Sequence, residues 1–142
     1  MHRRPRLLLP IATIVVAAGL AAATAAPVSA APFVAKLRAP NHTPKAGGKD
    51  WRITVSVRSP SGRPLRATAT YQFLYNGQVV ASRHPNPGHA RSGKRPYAFR
   101  GSYRDTILWP KRAAGYTLTF RVVVAVRGQG RENLDWRVRV RR

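Results

Sequence analysis

Few side chains in this 142-residue chain are suited to chemistry, and their spacing works against most of it. The carboxylates are Asp50, Asp105, Glu132 and Asp135. Acid–base catalysis by paired carboxylates needs two of them held across a substrate. Glu132 and Asp135 stand close together among arginines, so they are expected to neutralise those neighbours instead. His84 and His89 share the stretch HPNPGH and would be the natural pair for a metal. That stretch supplies too few ligands, and no carboxylate to orient the rings. Its prolines and glycine read more simply as irregular backbone. Serines occur, but none in a GxSxG-like nucleophile setting. No catalytic residue, no metal and no cofactor is expected, and the chain is read as a non-enzyme.

What the sequence does supply is positive charge. Lysine and arginine number 26 against 4 acidic residues, a formal net charge of +22, and 21 of the bases are arginine. Such an excess attracts anionic partners over a long range but says nothing about fold. A plain alternative stands beside it, in which arginine merely coats a solvated surface. Cysteine is absent. Disulfides, thiolate metal sites, cysteine nucleophiles and an acylated lipoprotein cysteine are therefore excluded.

The first 30 residues have the form of an export signal. MHRRPR is a positive leader, an apolar alanine-rich stretch follows, and Val28 and Ala30 are the small residues a signal peptidase reads. The alternative is an uncleaved anchor, since the apolar run approaches spanning length. Its strongly apolar part stops near Leu20, which favours cleavage and leaves no membrane span afterwards. Arg3-Arg4 lacks the neighbouring pattern of twin-arginine export, and the route stays open. Cleavage after Ala30 removes Arg3, Arg4 and Arg6 from the 26 bases, leaving 23 against 4 acids and a net +19. The basic excess thus belongs to residues 31–142, expected to form one domain.

These residues must be positioned by strands, because period two recurs throughout. Trp51, Ile53, Val55 and Val57 share one parity, with Arg52, Thr54, Ser56 and Arg58 on the other. Tyr71 and Phe73, then Leu118, Phe120, Val122 and Val124, then Trp136 and Val138 continue the pattern. Alternation of this kind marks strands with one buried face and one wet face. Strands are expected near 33–38, 50–58, 66–75, 78–83, 97–108, 116–127 and 134–141. Asn76-Gly77 between apolar runs is a strong hairpin signal. Asp105 falls on the inward parity of Tyr103 and Ile107, so a bulge is expected there to restore the register.

With seven strands, a PKAGGKDW lead-in, SGRPL, and a hairpin from AAGYTLTFRVVVAV to WRVRV, residues 33–142 resemble bacterial secreted immunoglobulin-like or fibronectin-III-like domains. The resemblance implies an all-β, immunoglobulin-like antiparallel β-sandwich of about seven strands. Gly115-Tyr116 resembles a tyrosine corner, with Leu118 where an antibody domain carries its second cysteine. The chain departs from that pattern in having no cysteine pair, and in opening its second strand with Trp51. An architectural likeness brings no ligand with it. NHT at 41–43 fits a glycosylation sequon, which is set aside in a bacterial export product.

The candidate ligand residues follow from this topology. Some thirteen residues between the strands at 78–83 and 97–108 have almost nothing to bury, a length typical of binding or disordered loops. The loop carries Arg91, Lys94 and Arg95, with Arg83 at its entry. Arg63 and Arg131 lie on the connections expected at the same end, so these six are expected to gather at one basic pole. Arg137, Arg139 and Arg141 are read as the wet parity of the last strand, protecting an edge. The expected function is a secreted, cationic binding or structural module of the cell envelope that contacts anionic polymers such as wall acids or acidic polysaccharides. The alternative is an adhesin-like protein-interaction domain with incidental charge. Nucleic acid is disfavoured, because the aromatics share the buried parity and leave no outward stacking platform. Nothing in the sequence sets an oligomeric state. The exported protein should begin at Ala31 by N-terminal sequencing, whereas membrane-bound material retaining Met1 would favour the anchor.

Overall fold

The computed structural model describes residues 32–142, so the export signal and its cleavage point lie outside the described residues. Eight strands and one short 3-10 turn account for the regular structure of the described residues. The strands are β1 (Val34–Arg38), β2 (Arg52–Arg58), β3 (Arg66–Tyr75) and β4 (Gln78–Arg83), then β5 (Tyr97–Arg100), β6 (Ser102–Thr106), β7 (Thr117–Val126) and β8 (Gly130–Arg139). The 3-10 turn, Lys111–Ala113, lies between β6 and β7. Two antiparallel sheets result: β1-β2-β6, and β4-β3-β7-β8 with β5 also paired to β3. This is the strand order of an immunoglobulin-like sandwich.

The parity argument holds in β2, β7 and β8 and in β3 as far as Phe73, after which Leu74 is buried as well. Trp51, Ile53, Val55, Val57, Tyr71, Phe73, Phe120, Val122, Val124 and Val138 are buried, and Leu118 and Trp136 are half-buried against them. Arg52 and Arg139 are exposed. Where the two sheets meet, Phe120 is surrounded by aromatic rings. Its centroid lies 5.1 Å from Tyr71, 5.5 Å from Phe73 and 5.6 Å from Trp51. Trp109, which follows β6, closes the group at 5.4 Å from Trp51 and 5.5 Å from Phe73, both edge-on. Edge-to-face contacts of this kind add to the burial of the rings themselves.

Eight strands appear instead of seven because the segment near 97–108 divides at Gly101. Tyr97–Arg100 pairs with β3 in one sheet, and Ser102–Thr106 pairs with β2 in the other. Gly101 has φ +73, and a Cβ there would stand 2.8 Å from Pro64 Cβ. Only a residue without a side chain turns the chain between sheets at this point. At Asn76-Gly77 the hairpin has φ +49 and +77, the pair of left-handed residues that a two-residue hairpin turn requires. The bulge lies elsewhere than at Asp105. It falls where Phe73 pairs with Ala81 and Leu74 with Val79, leaving Val80 without a partner.

The outer edge of β8 is covered. Arg139 N donates to His42 O and Arg141 N to Pro44 O, each at 2.8 Å, and Ala46 N donates to Arg141 O at 2.8 Å. This strip runs parallel to the end of the chain. Two indoles fix its start, since Trp51 Nε1 and Trp136 Nε1 each donate to Asn41 O at 3.1 Å. His42 stacks on Trp136 at 4.6 Å. Main-chain pairing therefore protects this part of the edge, and the arginines flank it.

Truncating Phe120 to Ala should lower the unfolding free energy by about 3–5 kcal/mol, the usual cost of a large buried ring. Gly101→Ala should cost roughly 2–4 kcal/mol, from left-handed strain and the clash with Pro64. Denaturant unfolding measures both. Wild-type stability in Gly101→Ala would mean that the turn between sheets does not depend on that glycine.

Candidate functional site

The outward face of the larger sheet is polar. β3 presents Arg66, Thr68, Thr70 and Gln72 there, and β7 presents Thr119, Arg121, Val123 and Ala125. At one end of this face, register brings arginines from separate parts of the chain together. Arg66 pairs with Arg100 across β3 and β5. Thr68 pairs with Ala125, which pairs in turn with Arg131 on β8. Arg127 opens the tight turn between β7 and β8. Arg66, Arg100, Arg127 and Arg131 thus line a shallow groove of about 620 Å3. Its floor includes the short side chains of Thr68, Ala98 and Ala125. All four arginines are exposed, and no acid lines the groove.

Of the six residues expected at a common pole, Arg131 is in this groove, and Arg63 lies on the β2–β3 turn at the same end of the sandwich. That turn meets the groove side through Gly101, whose N–H donates to Leu65 O at 2.9 Å. Arg83, Arg91, Lys94 and Arg95 are placed on the flank. The reason is the length of β4. It ends at Arg83 opposite Tyr71, halfway along β3, and the chain rejoins that edge at Tyr97 opposite Ala69. Residues 84–96 therefore project from the side of the sandwich and never reach its end. Arg66, Arg100 and Arg127 are the site residues that the sequence reading missed. Their signal was present, as bases flanking turns, but only sheet order shows that they converge.

The flanking loop is internally bonded. Ser92 Oγ accepts from His84 N at 3.0 Å and donates to His84 O at 3.2 Å, while Gly93 N donates to the same carbonyl at 2.9 Å. Asn86 Nδ2 donates to Arg91 O at 3.1 Å, and Pro85 is buried. Arg83 Nη2 donates to Ala90 O at 3.3 Å.

Beneath the loop a polar network joins the sheets. Tyr71 OH donates to Asp105 Oδ2 at 2.9 Å, and Tyr103 OH donates to Tyr71 OH at 3.1 Å. Thr106 N donates to Asp105 Oδ1 at 2.8 Å. Asp105 thus keeps its inward parity because it finds donors there. Burial raises its pKa above the ordinary carboxylate range, opposed in part by the bonds from Tyr71 and Thr106 and by Arg83 nearby. Burial likewise raises both tyrosine hydroxyls, so they remain neutral donors.

Asp135 behaves in the opposite way. Arg121 grips it in a fork, Nε to Oδ1 at 2.6 Å and Nη2 to Oδ2 at 2.8 Å, which lowers its pKa. Asp135 neutralises an arginine as expected. Glu132 does not, for its Oε2 is buried with no hydrogen-bond partner among the described residues. Tyr116 makes no tyrosine corner. It is 51% exposed, packs edge-on to Tyr75 at 5.7 Å, and its hydroxyl has no hydrogen bond among the described residues. Among those residues no three acidic, histidine or cysteine side chains are grouped to hold a metal ion. No helix among them is long and apolar enough to cross a membrane.

Compared with known protein families and with curated proteins, the chain matches none.

Asp105 and Asp135 should affect stability with opposite pH dependence. A carboxyl raised in the folded state stabilises most below its ordinary pKa, and that contribution disappears as pH rises through the raised value. One lowered in the folded state stabilises above the ordinary range and loses its effect as pH falls through the lowered value. Asp135→Asn should therefore cost up to about 1 kcal/mol at neutral pH, as exposed pairs do, and converge with wild type in acid. Asp105→Asn should compare more favourably with wild type at pH 7 than at pH 3. Thermal denaturation across pH measures both, and parallel curves for Asp105→Asn would refute the burial argument.

Proposed function

We propose that this chain is an exported, non-enzymatic binding module of the cell envelope whose outer sheet face engages anionic polymers. One observation carries the reading: four exposed arginines from four strand ends converge on a groove that no acid lines. Neighbouring strands lie about 4.8 Å apart, so a site crossing β5, β3, β7 and β8 spans roughly 14 Å. That is wide for one small anion and suits a polymer with charges at intervals along its length. The short floor residues let a chain approach, and the planar guanidinium forks match carboxylate or phosphate oxygens. Like charges held together repel one another, and a polyanion relieves that repulsion.

The outward positions of β3, β7 and β8 carry no aromatic side chain on which bases could stack, and Phe99 of β5, which also lines the groove, has inward parity and packs edge-on against Tyr103. This favours a polymer recognised by charge over a single-stranded nucleic acid. The groove lies on the regular sheet, where strand pairing sets the spacing of its arginines. For this reason it is a better candidate than the flanking loop.

Polyphosphate and poly-glutamate binding, titrated with salt, tests the assignment. Replacing Arg66, Arg100, Arg127 and Arg131 by Ser should weaken binding at least about tenfold at low salt and flatten its salt dependence. Melting temperature should change little, since exposed charges contribute little to the fold. Replacing Arg83, Arg91, Lys94 and Arg95 removes the same charge from the flank and should weaken binding much less. Equal losses in the two variants would show a diffuse charge effect and overturn the site.

A further inference from the structure

On the flank of the sandwich a second concavity has a different character. It lies between β4 and the connection that carries Trp109 and the 3-10 turn, and encloses about 890 Å3. Its lining is mainly apolar, including Phe73, Trp109, Ala113 and Leu118, with two cations, Arg83 and Arg112. The large hydrophobic side chains exposed among the described residues are Val34, Tyr75, Val79, Val80 and Tyr116. Tyr75, Val80 and Tyr116 line this groove, and Val79 adjoins it. Exposed apolar surface is thus concentrated at one place, which marks an interaction site. A mainly apolar concavity of this size with a few polar groups has the form of a small-molecule site.

We propose that this groove binds a single-chain amphiphile with an anionic head, its apolar body along Tyr75, Val80 and Tyr116 and its head at Arg112. Charge complementarity sets the sign of the head. Arg83 is already bonded to Ala90 O and acts on Asp105, whereas Arg112 is exposed and has no hydrogen bond among the described residues. A second copy of the chain fits poorly, because it would bring the cations of both grooves, and two strongly positive molecules, face to face. An added peptide strand fits poorly too. The bulge at Val80 breaks the pairing register of β4, and the facing wall is a 3-10 turn with no strand edge to share. An unbranched chain needs no main-chain pairing.

Dodecanoate, kept below its micelle concentration, is the probe, followed by amide chemical shifts and equilibrium dialysis. One molecule should bind per chain, with shifts concentrated in residues 79–83 and 108–118. Acetate, with the head alone, and dodecyltrimethylammonium, with the opposite charge, should each bind at least about tenfold more weakly. Arg112→Ala should weaken dodecanoate about tenfold, and Val80→Asp or Tyr116→Asp should abolish saturable binding. All three positions are exposed, so an unchanged melting temperature separates lost binding from lost fold. The variant lacking Arg66, Arg100, Arg127 and Arg131 should bind dodecanoate as wild type does, so the two sites can fail separately. Several outcomes would overturn the proposal: binding of many molecules per chain, equal affinity for the cationic amphiphile, or a dimer that Val80→Asp dissolves. So would anionic vesicles or acidic extended peptides that bind through Val80 and Tyr116 while monomeric dodecanoate does not.

Discussion

The sandwich depends on the packing around Phe120. This one fully buried ring touches Tyr71 and Phe73 on the neighbouring strand, Trp51 on the facing sheet, and Trp109 on the connection between sheets. With no disulfide available, those contacts replace the cross-link that antibody domains place between their layers. They also fix register. A slip of β7 by one residue would turn Phe120 outward and carry Arg121 into the core. The basic groove follows from the same constraint. Arg66, Arg100 and Arg131 face outward together because Ala67, Phe99 and Glu132, beside them in sequence, take the inward parity that register assigns.

The polar bridge under the flanking loop has a complementary role. Burying a carboxyl is costly unless donors meet it, and here a tyrosine hydroxyl and a backbone N–H do so. Apolar contacts alone tolerate several relative positions of two sheets. The chain Tyr103–Tyr71–Asp105 is satisfied in one of them, since its members come from β3 in one layer and β6 in the other. Gly101 adds a covalent restraint, because a single extended segment belongs first to one sheet and then to the other.

Period two made most of this legible in the sequence, since Trp51 through Val57 and Leu118 through Val124 can face a common core in only one way. The Asn76-Gly77 hairpin was legible for an equally local reason. What escaped depends on pairing between distant segments. Parity places Asp105 inside, but only a partner 34 positions away explains why it stays there. The long loop reads as a loop, yet its position on the flank depends on where β4 stops against β3. Arg66, Arg100 and Arg127 are separate bases in the sequence and form a site only through sheet order. The strip at 42–46 has no alternation at all, because main-chain pairing holds it without a buried row of side chains.

That strip has a mechanical consequence. It runs parallel to the last residues of the chain, one segment leading back toward the start of the domain and the other to its end. Tension applied between the two termini would slide these segments past each other along their common axis. The bonds from Arg139 to His42, Arg141 to Pro44 and Ala46 to Arg141 would then bear load together, with no single bond left to peel first. Asn41, held by two indoles, anchors one end of this clasp. A slip of one segment along the other therefore requires several main-chain bonds to break at once, whereas a pull across them would break the same bonds in turn.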